Sequence, residues 1–283
     1  MVANFISYCK VVKGLSKNTL IAYQRNINEF VKWYADDDYI LAERQEVIDF
    51  LHFVVEKGNS PATVNVKITA ICMFYKWLFN NKYIKENVVV DIDVPKIPYR
   101  EPKILETEQV SKLVEVAKEF KNRDFTMIMV FLNTGLRVQE LVDLKLSDIN
   151  PSTCKIDVIG KGNKERVICI NEGLKAVTLD YIEHYRGKSK YAEESPYLFV
   201  SQQSEQLTTK QVGNILKKLY DKAGIEANGC HILRKTNATM LFENGVDLRT
   251  IQYCMGHSSI STTQIYTKVS ENRKQKAADS LHF

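Results

Sequence analysis

Residues 229–268 read GCHILRKTNATMLFENGVDLRTIQYCMGHSSISTTQIYTK. His231 and Arg234 stand three apart in a segment with helical apolar spacing (Ile232, Leu233, Met240, Leu241), so they share one face. An imidazole beside a guanidinium suits a planar oxyanion such as a phosphate. A second helical run, 248–255, is stopped by Gly256, which leaves His257 on a turn just beyond. Tyr266 follows nine residues later, in a short segment opened by the cap-forming Ser261, Thr262 and Thr263. Singly, each has an ordinary explanation: a surface His or Arg, or a half-buried Tyr whose hydroxyl finds a partner. The set is not covered by those explanations.

The bulk numbers bound what surrounds this stretch. A chain of 283 residues, 45% hydrophobic and 26% charged, has room for one large or two medium domains with a substantial core. Its net charge of +5 favours an anionic partner such as nucleic acid without requiring one. Cys9, Cys72, Cys154, Cys169, Cys230 and Cys254 are scattered without a pairing pattern, and no signal peptide is seen. That composition is expected of free thiols in the cytoplasm. No run reaches the length of a membrane span. Cys254-x-x-His257 is half of a zinc spacing, but no second pair completes it, so no metal site is expected.

Working toward the N-terminus, residues 1–87 hold no convincing strand. One helix is expected over 3–12 and is broken by Gly14. A second follows the caps at Ser16–Thr19, with Leu20, Tyr23, Ile27, Phe30, Val31 and Trp33 as its apolar stripe. A third runs over 43–56. Ser60-Pro61 places a cap and a first-turn proline ahead of a fourth, over 62–79. Residues 88–105 then contain Pro95, Pro98 and Pro102, which forbid a helix and favour an extended linker. The domain boundary is expected near residue 100.

The remainder mixes helices with one hairpin. An apolar helix over 125–134 ends at Gly135, and Arg137 and Glu140 stand three apart immediately after it. That spacing lets the carboxylate orient the guanidinium. Residues 154–159 and 165–170 are apolar, β-branched runs flanking Gly160-Lys161-Gly162-Asn163-Lys164, a strong hairpin signal. This turn lacks the phosphate-loop pattern and joins two strands. Helices resume over 174–185 and 208–223, before the opening stretch.

The pattern His-x-x-Arg, Gly-His and Tyr, with the run NTGLRVQELVDL at 133–144, resembles the tyrosine recombinases. Residues 14–23, GLSKNTLIAY, resemble the opening of that family's core-binding domain, so the likeness covers essentially the whole chain. The spelling is nearest to Xer-type and compact mobile-element members. The resemblance implies a mainly α fold with a small antiparallel β-sheet. It divides the chain into an N-terminal four-helix core-binding domain (1–87), a linker (88–105) and an α+β catalytic domain (106–283). It implies a catalytic set of Arg137, Lys161, His231, Arg234, His257 and Tyr266, with Glu140 in support and Lys164 as the alternative hairpin lysine. Lys17, Asn18 and Thr19, at a helix start, become phosphate-contact residues together with Lys164. Many relatives carry His where this chain has Lys235, a departure that touches local detail.

The function so implied is site-specific DNA recombination through a 3′-phosphotyrosyl intermediate, without metal, ATP or other cofactor. The partner would be a double-stranded core site, with a dimer per site, a homotetramer on two paired sites, and accessory DNA-bending or regulatory proteins as further partners. Leu281 and Phe283 would anchor the tail on a neighbouring protomer. Integration and excision, chromosome or plasmid dimer resolution and transposon cointegrate resolution stay open. Three rivals remain. A type IB topoisomerase shares the tyrosine chemistry, a non-catalytic DNA-binding protein shares the fold, and a helical scaffold with a basic face explains the helices alone.

Overall fold

Two compact units divide the chain, Met1–Tyr99 and Arg100–Phe283. The computed structural model describes residues 1–35, 38–92, 103–120, 122–160 and 164–256.

The first unit consists of α1 (Val2–Val11), α2 (Lys17–Tyr34), α3 (Arg44–Glu56) and α4 (Pro61–Asn80), the four helices expected. Their starts are written locally. The Ser16 hydroxyl accepts from the Thr19 N–H, Ser60 does the same for Thr63 ahead of Pro61, and the Glu46 side chain accepts from the Glu43 N–H. Each such cap contributes about 1 kcal/mol by satisfying a donor the helix leaves open. The apolar stripes meet in an aromatic core. Phe30 lies edge-on to Phe50 at 5.2 Å, and Phe5 edge-on to Phe74 at 5.4 Å. Such T-shaped pairs match the positive ring edge to the negative ring face. Val89 is buried against this core, and Arg44 donates to the carbonyls of Val90 and Asp91. The start of the expected linker is therefore tied to the helices.

The second unit runs α5 (Thr107–Glu119), α6 (Asn122–Thr134), α7 (Val138–Asp143), β1 (Ile149–Asn150), β2 (Lys155–Ile159), β3 (Glu165–Cys169), α8 (Glu172–Asp180), α9 (Thr209–Ala223), α10 (His231–Glu243) and α11 (Leu248–Met255). The helix expected over 174–185 starts two residues earlier and changes pitch at Tyr181–Tyr185, a π turn. The strands form one antiparallel sheet in the order β1-β2-β3, with Ile156 opposite Ile168 and Ile159 opposite Glu165. Strand alternation turns Ile156, Val158, Arg166 and Ile168 to the buried face.

The main core of this unit joins Leu113 and Ala117 of α5, Met127, Ile128 and Phe131 of α6, the inward strand residues, and Leu216, Leu219 and Tyr220 of α9. A smaller core of Ala238, Phe242, Ile251 and Met255 fixes α11 on α10. Two polar contacts set the position of α10. The Thr236 hydroxyl accepts from the Leu105 N–H at 2.9 Å, and the Asn237 amide donates to the Leu132 carbonyl at 2.7 Å. Among the described residues, no helix is long and apolar enough to cross a membrane.

Candidate active site

The end of α6 starts the site. Gly135 takes φ +60, and a Cβ placed there would stand 2.4 Å from Met255 Cε and 2.7 Å from Asn237 Oδ1. Only glycine fits a left-handed residue pressed this closely by two neighbours. The turn delivers Leu136 to the core and Arg137 to the N-cap of α7.

Glu140, in the first turn of α7, is the centre of the arrangement. It is 7% exposed, yet it accepts from the Arg137 backbone N–H at 2.8 Å and from Arg137 Nη1 at 2.7 Å. Arg166, on the inward face of β3, meets the same carboxylate with both terminal nitrogens, Nη1–Oε1 at 3.0 Å and Nη2–Oε2 at 2.9 Å. Arg234 Nη1 lies 4.0 Å from Oε2. Burial pushes the Glu140 carboxyl up, but hydrogen bonds from Arg166 and from the Arg137 backbone, followed by the Arg166 charge and the Arg137 side chain, hold it down at about 2. One carboxylate among three guanidinia leaves the site cationic, which suits a phosphodiester.

The same arginines grip the end of α11. This helix is opened by the Asp247 carboxylate, which accepts from the N–H groups of Arg249 and Thr250, and closed by Gly256 at φ +60. Its final carbonyls accept one arginine each: Cys254 from Arg166 Nε at 2.9 Å, Met255 from Arg234 Nη2, and Gly256 from Arg137 Nη2 at 2.8 Å. Carbonyls at a helix C-terminus lack helical donors and carry the negative end of the dipole, so cations there are stabilising. Arg234 also donates from Nη1 to the Gly135 carbonyl at 2.5 Å. The turn after α6, the sheet, α10 and α11 are thereby joined through side chains.

His231 is the first residue of α10 and is exposed, one turn before the buried Arg234. Partial burial of the ring, and then the charges of Arg234, Lys235 and Arg137, lower its pKa below the ordinary histidine value. The neutral imidazole, a proton acceptor, is favoured at neutral pH. A cleft of about 420 Å³ beside it is lined by Lys103, Asn228, His231 and Lys235 among others.

Lys161, His257, Tyr266, Leu281 and Phe283 lie outside the described residues. The residues immediately before two of them do not. A Cβ on Gly160 would stand 3.2 Å from Arg166 Nη1 and 3.5 Å from Glu140 Oε1, and one on Gly256 would stand 3.1 Å from Arg166 Nη1. The chain thus passes the arginine frame one residue before Lys161 and one before His257. Lys164 is exposed, and its carbonyl accepts from the Gly160 N–H at 2.7 Å to close the hairpin turn. In the first unit, Lys17 and Asn18 are exposed at the start of α2, while the Thr19 hydroxyl lies 2.9 Å from that of Ser16. Among the described residues, no three His, Cys, Asp or Glu side chains gather as a metal site.

Sequence reasoning missed Arg166. It counted 165–170 as an apolar run and passed over the arginine beside Glu165 at its start. The signal was present: Arg166 keeps phase with Ile168, so strand alternation turns it to the buried face. Asn237 was also missed, and nothing in its spacing marks the Leu132 carbonyl as its partner.

Comparison with known proteins gives the family and the fold. Residues 103–273 match the phage integrase family, and residues 2–82 match the phage integrase N-terminal SAM-like domain. Tyrosine recombinase XerD of Listeria innocua is 34% identical over 100% of this chain and 98% of its own length. The crystal structure of XerA recombinase is 27% identical with a TM-score of 0.57, covering 100% of this chain and 99% of that one. The XerH site-specific recombinase bound to a palindromic difH substrate shares the fold at a TM-score of 0.77, with 22% identity over 99% of this chain and 84% of that one.

Proposed function

The chain belongs to the phage integrase family of tyrosine recombinases, and from that premise we propose how it acts as a site-specific DNA recombinase. Tyr266 is the nucleophile. Its phenolic oxygen attacks a DNA phosphorus, the bond to the 5′-oxygen breaks, and the protein is left joined to the 3′-phosphate. A free tyrosine has a pKa near about 10, so the attacking hydroxyl must lose its proton as the bond forms. His231, held neutral beside Arg234 and Arg137, accepts that proton. Lys161 returns one to the departing 5′-oxygen. Arg137, Arg234 and His257 stabilise the charge on the pentavalent phosphorus, each by about 3–4 kcal/mol if it acts as an oxyanion-hole donor does. The phosphodiester energy is kept in the phosphotyrosyl link, so the step needs neither metal nor ATP. A 5′-hydroxyl from the other site then attacks that link and completes the exchange.

The observation that carries this reading is the grip of Arg137, Arg166 and Arg234 on Glu140 and on the last carbonyls of α11. It presents cationic groups beside the turn from which His257 and then Tyr266 continue. We assign core-site binding to residues 1–87, with Lys17, Asn18 and Thr19 on phosphates and Lys164 adding a contact from the hairpin. Residues 88–105 link this domain to the catalytic domain, 106–283. A dimer on each of two sites forms the active tetramer, in which Leu281 and Phe283 dock on the neighbouring protomer. Accessory DNA-bending proteins would select between integration, dimer resolution and cointegrate resolution.

The test is covalent trapping. Wild type and Tyr266→Phe are incubated with a nicked duplex of the core site that loses its 5′-hydroxyl fragment after cleavage. A protease-sensitive DNA adduct with wild type alone is expected, without metal or ATP. An adduct from Tyr266→Phe would remove Tyr266 as nucleophile, and equal trapping on any sequence would mark a topoisomerase.

A further inference from the structure

We propose that Arg166 is a positioning residue for strand cleavage, one that sets the lysine hairpin, Glu140 and the end of α11 as a single frame. The assignment rests on the reading of Tyr266 as nucleophile and adds to it a residue that touches no reacting atom.

Arg166 is 5% exposed, and each of its guanidinium nitrogens is bonded. A buried arginine that only stabilised the fold could be satisfied anywhere in the core. This one is satisfied at three places that matter to the reaction. Its Nη1 and Nη2 take both oxygens of Glu140, and its Nε takes the carbonyl of Cys254. The guanidinium also lies against two glycine backbones. A Cβ on Gly256 would meet Nη1, Cζ and Nε at 3.1, 3.2 and 3.4 Å, and a Cβ on Gly160 would meet Nη1 at 3.2 Å. Those glycines precede His257 and Lys161 directly. A side chain at either position would crowd the guanidinium, which would have to give by a few tenths of an ångström.

Charge adds a second argument. Glu140 also holds Arg137, through Nη1 and the backbone N–H. Were Arg137 the sole partner of that carboxylate, the pair would be neutral and a weak attractor of phosphate. With Arg166 forked onto the same carboxylate, Glu140 fixes the direction of Arg137 without cancelling its charge. Loss of Arg166 would free Glu140 to neutralise Arg137, or to close the 4.0 Å gap to Arg234. It would also release the Cys254 carbonyl and let the end of α11, which His257 directly follows in sequence, drift.

Drift of this kind should appear in the rate and not in the affinity, because the phosphate contacts assigned above to Lys17, Asn18, Thr19 and Lys164 do not involve Arg166. The experiment measures, for the full chain, site affinity by gel shift and the single-turnover rate of adduct formation on the nicked duplex. Arg166→Gln and Arg166→Lys are compared with wild type and with Ile168→Val, a core change on the same strand. Both Arg166 variants should bind within about threefold of wild type yet cleave at least about 30-fold more slowly, since small misplacements at a reacting centre reach about 100-fold. Lysine should not rescue, because a point charge cannot fork onto a carboxylate and reach a third acceptor. Ile168→Val should cleave at the wild-type rate.

Cleavage by Arg166→Lys within threefold of wild type would overturn the proposal, as would equal losses of affinity and rate in both variants. If neither single variant folds, the paired change Arg166→Met with Glu140→Met removes both buried charges at once. Wild-type cleavage by that protein would equally overturn the assignment. Failure of wild type itself to form an adduct would overturn the Tyr266 reading and this role with it, whereas wild-type adduct with an unimpaired Arg166→Gln would overturn this role alone.

Discussion

Arg166 and Glu140 meet fork to fork at 3.0 and 2.9 Å, and both are more than nine-tenths buried. They come from β3 and α7, 26 residues apart, and their pairing fixes where the sheet stands against the helices. Isolated, either charge would be costly to bury; together, with Arg137 and the α11 carbonyls taking up the remaining valences, they are satisfied.

This pairing makes the fold sensitive to acid. The Glu140 carboxyl lies at about 2 in the folded chain, against an ordinary value of 4.5. A depressed carboxylate adds stability that is fully present above its unfolded pKa and is lost as pH falls through the folded one. Stability should therefore decline between pH 4.5 and about 2. Glu140→Gln should be about 3–5 kcal/mol less stable near neutrality, because it leaves buried arginines uncompensated. Urea unfolding at neutral and acid pH checks this: the variant should lose less than wild type on acidification.

His231 should set the acid limb of the cleavage rate. Its pKa is pressed down by partial burial and by Arg234, Lys235 and Arg137, so the neutral base persists to lower pH than a free histidine would allow. The rate should stay level from neutrality down past about 6.5, the ordinary histidine value, and fall only below it. His231→Gln should abolish that limb and slow cleavage by about 10²–10⁴. Single-turnover rates across pH decide the matter; a limb centred above the ordinary value would mean that another group accepts the proton.

Gly135 is the tightest point in the backbone of the site. Gly135→Ala must displace Met255 Cε and Asn237 Oδ1 and hold a left-handed φ of +60. We expect a loss of about 1–3 kcal/mol. A larger proportional loss of cleavage should accompany it, since Arg234 donates to the Gly135 carbonyl. Gly213→Ala is the matching control. It lies within α9, where a Cβ meets nothing within 4 Å, and should stabilise the chain by about 0.5–1 kcal/mol. Thermal unfolding of the two variants should move in opposite directions.

Lys17 stands exposed as the first residue of α2, where backbone N–H groups also point outward. Lys17→Ala should weaken site binding similarly on cognate and random duplexes and reduce the salt slope by about 1, as for one lost phosphate contact. Binding isotherms at several salt concentrations measure it. An unchanged slope would remove Lys17 from the interface.

Most of the architecture was legible because local signals agree with the fold. Ser16, Ser60-Pro61 and Gly135 mark helix ends, and Gly160–Lys164 marks a turn whose flanking runs do pair. The link between Arg137 and Glu140 was readable from their three-residue spacing. What spacing cannot supply is the partner from a distant segment. Arg166 reaches Cys254 across 88 residues, and Arg234 reaches Gly135 across 99. Only packing of the sheet and α11 onto the end of α6 brings those groups together. The same holds for Leu105 and Thr236, 131 residues apart.

Lys161 and Lys164 compete for the role of general acid, and a change in leaving group separates them. Gly160, which directly precedes Lys161, lies against Glu140 and Arg166, while the Lys164 side chain is exposed and its carbonyl accepts from the Gly160 N–H. On an ordinary duplex, Lys161→Ala should cleave about 10²–10⁴ more slowly. With the bridging 5′-oxygen replaced by sulfur, the leaving group is a thiolate, whose conjugate acid has a pKa of about 8.5, so it departs without a donated proton. Lys161→Ala should then approach the wild-type rate on the sulfur substrate. Lys164→Ala should cleave both substrates normally and instead bind more weakly, most clearly at low salt, with the salt slope reduced by about 1. The opposite pattern would transfer the proton to Lys164 and leave Lys161 as a contact to the DNA backbone.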